Sequence, residues 1–204
     1  MQNDTVSVLA AWALGSMLWG VVLGRILRRQ DLRARDNPGG SGSFRQFGPV
    51  IGIAVVVLDA GKGAAAVAIA RLLGASAIGQ ALSAVAAVAG HNWPLWFGFR
   101  GGGGLATALG SLGSLAPAET VWAVVVGLVA AAIYKLSPVY GRFPFSSLPG
   151  GAGIGLPFLI WLTWRNGNTV AFAATVLCTV AIGLRGLQML SEGKRTEQRQ
   201  SGIV

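Results

Sequence analysis

Apolar residues run almost unbroken from Thr5 to Leu27, Pro49 to Leu73, Ala75 to Phe99, Leu105 to Leu115, Thr120 to Leu136, Gly151 to Trp164 and Thr169 to Leu190. In hydrocarbon a chain must satisfy its backbone hydrogen bonds internally, and for segments of this kind that means helices. The runs therefore predict an all-α integral membrane protein, a multispanning helical bundle with ordered cytoplasmic-side loops. Composition points the same way: of 204 residues, 53% are hydrophobic and only 11% charged, against about 25% charged in soluble domains. The apolar content excludes intrinsic disorder. A single cysteine, Cys178, excludes a disulfide scaffold.

A net charge of +9 would suggest nucleic acid as partner in a soluble protein, but its placement argues against that. Arg25, Arg28, Arg29, Arg33, Arg35 and Arg45 crowd one connection, and Lys194, Arg195 and Arg199 follow the last run. This is the positive-inside pattern. It predicts an N-terminus outside, a C-terminus in the cytoplasm and an odd number of spans. Seven transmembrane helices fit better than five if the short glycine-flanked runs cross. The first run lacks a basic segment before it and a small-residue cleavage site after it, so it reads as a signal anchor. One domain is expected over residues 1–190, followed by a basic cytoplasmic tail over 191–204.

Three clusters carry candidate chemistry. The stretch from Arg28 to Phe47 holds Asn37-Pro38-Gly39-Gly40-Ser41-Gly42-Ser43 and is expected to be a loop in or near water. Arg45 ends that loop ahead of a helix, which sets backbone N–H donors and a guanidinium at one anion site; the plainer reading is an arginine meeting lipid headgroups. The run from Pro49 to Leu73 carries Asp59, Gly61, Lys62 and Gly63, so it is one long span with buried charges or two helices meeting at Gly-Lys-Gly. Asp59 and Lys62 share a helix face and can pair. Ionisable residues at membrane depth are functional candidates, with a structural ion pair as the competing reading.

The second cluster is His91 with the Trp93-Pro94 turn, Arg100 and the glycines Gly101 to Gly104, a phosphate-sized cradle leading into a helix that contains Thr107. A purely structural histidine is the alternative. Arg142 with Ser146 and Ser147 forms the third cluster, either anion-binding or a capped loop with an interfacial arginine. There is no second histidine to build a metal site and no Gly-x-Ser-x-Gly elbow. Neither metal nor cofactor is expected.

These motifs carry a family resemblance. Gly15-Ser16-Met17-Leu18-Trp19-Gly20, Leu58-Asp59-Ala60-Gly61-Lys62-Gly63 and the long stretch Gly90-His91-Asn92-Trp93-Pro94 through Gly101-Gly102-Gly103-Gly104-Leu105-Ala106-Thr107 resemble, in order and at similar spacing, the bacterial membrane glycerol-3-phosphate acyltransferases that use acyl phosphate. The resemblance implies transfer of an acyl group from acyl phosphate to the 1-hydroxyl of glycerol 3-phosphate, giving lysophosphatidate at the bacterial plasma (inner) membrane. It implies His91, Arg45 and Lys62 as the catalytic set. It implies Asn37, Ser41, Asp59, Arg100, Gly101, Gly102, Gly104, Thr107, Arg142 and Ser146 as substrate-binding residues, with the two substrates and membrane lipids as partners and the oligomeric state left open.

The sequence also departs from the family pattern. Arg35 stands where the family has the first serine of its glycine-serine loop, Gly103 where it has a lysine, and the stretch from Gly183 to Leu190 lacks the family's histidine and asparagine. Arg35, Arg100 and Arg185 are the charges available to stand in, and Arg100 is nearest to Gly103 in sequence. The departures leave open a second function, that of a catalytically inactive relative that binds or moves anionic lipids or acts as a membrane partner.

Overall fold

In the computed structural model, which describes residues 2–34, 36–143 and 146–200, every regular element is helical. The helices are α1 (Gln2–Gly15), α2 (Trp19–Arg28), α3 (Gly40–Phe47), α4 (Pro49–Leu72), α5 (Ala77–Asn92), α6 (Leu105–Leu115), α7 (Pro117–Leu136), α8 (Ser147–Arg165) and α9 (Thr169–Gln200), with short 3-10 turns at Leu32–Ala34 and Leu95–Phe97. Among the described residues four stretches have the length and hydropathy of a membrane span: Gln2–Arg28, Pro49–Leu72, Pro117–Leu136 and Thr169–Glu192. The 16 residues of α5 and the 11 of α6 fall short of the roughly 20 that a full crossing takes. The chain is a multispanning bundle of full-length and short helices.

The first apolar run is two helices rather than one. After Gly15 the Met17 amide turns back to the Leu14 carbonyl at 3.1 Å, and α2 starts beyond Leu18. Two carbonyls are thereby freed from the helical ladder: Ala13 accepts from Trp96 Nε1 at 3.1 Å and Met17 accepts from Lys62. By contrast, α4 is continuous through Gly61-Lys62-Gly63, which decides between the two readings of that run. The segment expected as a loop from Arg28 to Phe47 contains α3, because Asn37 Oδ1 accepts from the Gly39 amide at 3.1 Å and turns the chain into a helix. α9 passes beyond Leu190 to Gln200 without a break, so residues 191–200 prolong the last helix.

Small residues set the packing. A Cβ on Gly63 would stand 2.1 Å from the Thr107 carbonyl oxygen, and one on Gly110 would stand 1.8 Å from that of Ala60. α4 and α6 therefore touch backbone to backbone, a mode favoured in membranes because close approach substitutes for the missing hydrophobic drive. Gly15 against Ala87 and Gly90 against Trp12 do the same for α1 and α5. A core of Val88, Leu112, Leu159 and Cys178, with alanines between them, joins α5, α6, α8 and α9. Outside it Val121, Trp122, Leu128 and Val129 of α7 and Leu177, Val180 and Leu184 of α9 are exposed, an apolar rim suited to lipid.

Replacing Gly63 or Gly110 by Ala forces the two backbones apart and is expected to destabilise the protein by about 1–3 kcal/mol. Gly153→Ala and Gly183→Ala, where no atom lies within 4 Å of the new carbon, are expected to be neutral or slightly stabilising. Thermal unfolding in one detergent compares the four variants.

Candidate active site

The polar centre of the bundle is built on Lys62. Its Nζ donates to the Met17 carbonyl at 2.5 Å, approaches His91 Nδ1 at 2.8 Å, and lies 2.9 Å from Asp59 Oδ1. The first two are hydrogen bonds, and the third is an ion pair. Asp59 and Lys62 share one face of α4, His91 comes from the last turn of α5, and Met17 lies in the break between α1 and α2. All three side chains are buried, with Asp59 at 0% exposure. Asp59 Oδ1 also lies 3.5 Å from His91 Nδ1, and among the described residues neither carboxylate oxygen has a hydrogen-bond partner.

Because Lys62 donates to Nδ1, the hydrogen-bond network assigns the imidazole proton to Nε2. That nitrogen faces the glycine run, since a Cβ on Gly102 would stand 2.2 Å from it. The run is folded onto the end of α5: the Gly101 amide donates to the Asn92 carbonyl at 3.2 Å and the Gly102 amide to that of His91 at 3.1 Å. Gly104, at φ +77°, turns the chain into α6 with the Asn92 side chain 2.4 Å from where its Cβ would be. Only glycine fits there. Gly103 is open, its nearest neighbour being Asn37 Nδ2, 3.9 Å from its would-be Cβ. Thr107 is buried in the first turn of α6, and its Oγ1 has no hydrogen-bond partner.

His91, Lys62, Asp59, Gly101, Gly102, Gly104 and Thr107 are thus brought together, with Asn37 at the edge. Arg45 is elsewhere. It lies in the last turn of α3, half exposed, and grips Asp36 through Nη2 at 2.6 Å and Nε at 2.8 Å. Burial acts to raise the Asp36 carboxyl, but the bonds from Arg45 and the Asn37 amide outweigh it and hold it below the usual carboxylate range. The pair is therefore intact at neutral pH and weakens as acid protonates Asp36. Ser41 is half-buried in the first turn of α3. Arg100 is exposed at the mouth of the glycine run. Arg142 and Ser146 are exposed between α7 and α8, and among the described residues no contact joins them to His91. Arg35 lies outside the described residues.

Two participants lie outside the expected site set, although Arg185 was among the three charges available to stand in for the missing family groups. The Met17 carbonyl emerges only from the helix break, for which Gly15-Ser16 and Gly20 were the sole signal. Arg185 of α9 is 4% exposed and donates through Nη2 to the Gly101 carbonyl at 2.9 Å. A charge within an apolar run was the available pointer to it.

Residues 5–186 match the family model described as glycerol-3-phosphate acyltransferase. The chain belongs to this family. It is 35% identical to glycerol-3-phosphate acyltransferase 2 of Deinococcus radiodurans over 92% of this chain and 94% of that one. To a glycerol-3-phosphate acyltransferase of Neisseria meningitidis serogroup C it is 33% identical over 95% and 98%. Its fold is that of the integral membrane glycerol 3-phosphate acyltransferase PlsY in the glycerol 3-phosphate form, with TM-score 0.76, 24% identity, and 98% of this chain and 92% of that chain covered. The lysophosphatidic acid form of PlsY gives a TM-score of 0.74 at 22% identity.

Removing the ammonium by Lys62→Met leaves the Asp59 carboxylate buried and unpaired, at an expected cost of about 3–5 kcal/mol. The double variant Asp59→Leu with Lys62→Met removes both charges and is expected to be more stable than the single variant, although neither holds His91 in place. A double-mutant cycle on unfolding free energy measures this.

Proposed function

We propose that the protein transfers an acyl group from acyl phosphate to the 1-hydroxyl of glycerol 3-phosphate, releasing lysophosphatidate and inorganic phosphate. The family membership makes it an acyltransferase of phospholipid synthesis. What carries the detailed reading is the single histidine, clamped by Lys62 with its Nε2 turned toward the glycine run.

Acyl phosphate is already activated, so positioning and charge neutralisation suffice for its chemistry. The glycerol 1-hydroxyl oxygen attacks the acyl carbonyl carbon, the bond from that carbon to the phosphate oxygen breaks, and the departing phosphate takes the hydroxyl proton. His91 Nε2–H donates a hydrogen bond to the carbonyl or phosphate oxygen as negative charge develops there. The first amides of α6, which have no acceptor within their own helix, face the donor phosphate across Gly102 and Gly104. Asp59 and Lys62 hold the imidazole. Asn37, Ser41 and Thr107 line the approach, and Arg45 meets the glycerol phosphate by exchanging Asp36 for it. Arg100, and Arg142 with Ser146, attract the second anion from the exposed surface.

In this reading the seven apolar runs all cross, with α1 and α2 as one span and α5 and α6 as short ones. The N-terminus is outside and the basic segments face the cytoplasm of a bacterial inner membrane. The protein needs no metal or cofactor.

Purified protein in lipid, given glycerol 3-phosphate with acyl phosphate, acyl-CoA or acyl-acyl-carrier protein in parallel, is expected to form lysophosphatidate from acyl phosphate alone, with one phosphate released per product. Equal transfer from a thioester would contradict the donor assignment. No product from any donor would contradict the enzyme.

A further inference from the structure

Among the described residues, Arg185 is the basic side chain that α9 sends into the polar centre. It is 4% exposed. Nη2 donates to the Gly101 carbonyl at 2.9 Å, Nη1 lies 3.2 Å from Glu192 Oε1 and 3.5 Å from Gln188 Oε1, and Nε is buried with no hydrogen-bond partner. The site is not made by accident of packing. Asn92 Nδ2 donates to the Ala181 carbonyl at 3.1 Å and Trp93 Nε1 to Gln188 Oε1 at 2.9 Å, so α9 is pinned to the end of α5 one turn on either side of Arg185. The same turn of α5 carries His91, which lies within electrostatic range of Arg185.

A buried guanidinium with an idle N–H is costly in a protein interior, because the lost hydration is not replaced. Its carboxylate partner does not cancel that cost, since Glu192 is 57% exposed and water screens it. A dianionic phosphate would meet the requirement. Planar guanidinium donors match phosphate oxygens two at a time. Gly101 to Gly104 carry no side chains to obstruct an anion, and among the described residues a Cβ on Gly103 would meet only Asn37 Nδ2, at 3.9 Å.

We propose that Arg185, reaching over from α9, is a phosphate-binding cation of the glycine run, and that Glu192 holds it in place and competes with the phosphate for it. The proposal rests on the acyl-transfer reading for which phosphate is bound, but phosphate binding itself is measured without turnover.

The experiment is calorimetric titration of the purified protein in detergent with inorganic phosphate, alongside kinetics with acyl phosphate, for wild type, Arg185→Gln, Arg185→Lys, Arg185→Gln with Gly103→Lys, and Glu192→Gln. Arg185→Gln keeps a donor for Gly101 but no charge. It is expected to weaken phosphate binding at least tenfold and to raise KM for acyl phosphate similarly, with unfolding temperature held. Arg185→Lys should recover part of the affinity, and Gly103→Lys added to Arg185→Gln should recover part as well. Glu192→Gln changes an exposed side chain and is expected to tighten phosphate binding about threefold or more, which keeps the test available if Arg185→Gln does not fold.

Wild-type phosphate affinity in a folded Arg185→Gln, or unchanged or weaker affinity in Glu192→Gln, would overturn the proposal. A wild type that binds phosphate through Arg185 yet transfers no acyl group from any donor would uphold this site and refute the acyl-transfer reading.

Discussion

A lysine ammonium buried at the centre of a membrane bundle dictates much of what surrounds it. Lys62 collects a carbonyl from the break in the first span, a carboxylate from its own helix and an imidazole nitrogen from α5. An isolated charge there would cost many kcal/mol, so each partner is effectively obligatory. The Met17 carbonyl is available only because the first apolar run unwinds after Gly15, and the Ala13 carbonyl freed by the same unwinding accepts from Trp96 Nε1. The helix break, the ion pair and the histidine orientation are one solution to one electrostatic problem.

From that solution the reactive face follows. With Nδ1 committed to Lys62, His91 presents Nε2 to the glycine run, and the run can lie against the ring because Gly101, Gly102 and Gly104 have no Cβ to collide with it. Charge is sorted by depth. The inner site has a neutralised lysine, a neutral histidine and one buried arginine, whereas Arg25, Arg33 and Arg45 lie in the outer segment and pair with Asp31 and Asp36. The outer arginines suit orientation and anion capture, and the inner groups suit geometry.

Much of this was legible in the sequence because membrane residence makes polar residues conspicuous. Asp59, Lys62 and His91 interrupt apolar runs, and the four glycines after Arg100 cannot be ordinary helix. Every apolar run contains a helix, although the first is broken after Gly15 and the run to Phe99 leaves the α-helix after Asn92. The break at Ser16 to Leu18 was hidden because hydropathy does not register where a helix releases its carbonyls. The helix of residues 40–47 was hidden by glycine and serine, whose low helical propensity is overridden by the Asn37 turn and by packing on α4. Arg185 was visible only as one of several possible charges, since sequence separation places Arg100 beside the glycine run and only the docking of α9 onto α5 brings Arg185 there. Arg45 read as an anion ligand from its position, but its bond to Asp36 is a tertiary fact.

His91 is the single histidine of the chain, so nitrogen-15 NMR of histidine-labelled protein in lipid reads its ring without ambiguity. If Lys62 fixes the imidazole, the spectrum at neutral pH shows one neutral tautomer with the proton on Nε2 and Nδ1 acting as acceptor, and that preference disappears in Lys62→Met. A ring protonated on both nitrogens, a proton on Nδ1, or a spectrum indifferent to Lys62 would contradict the central role given to the buried lysine.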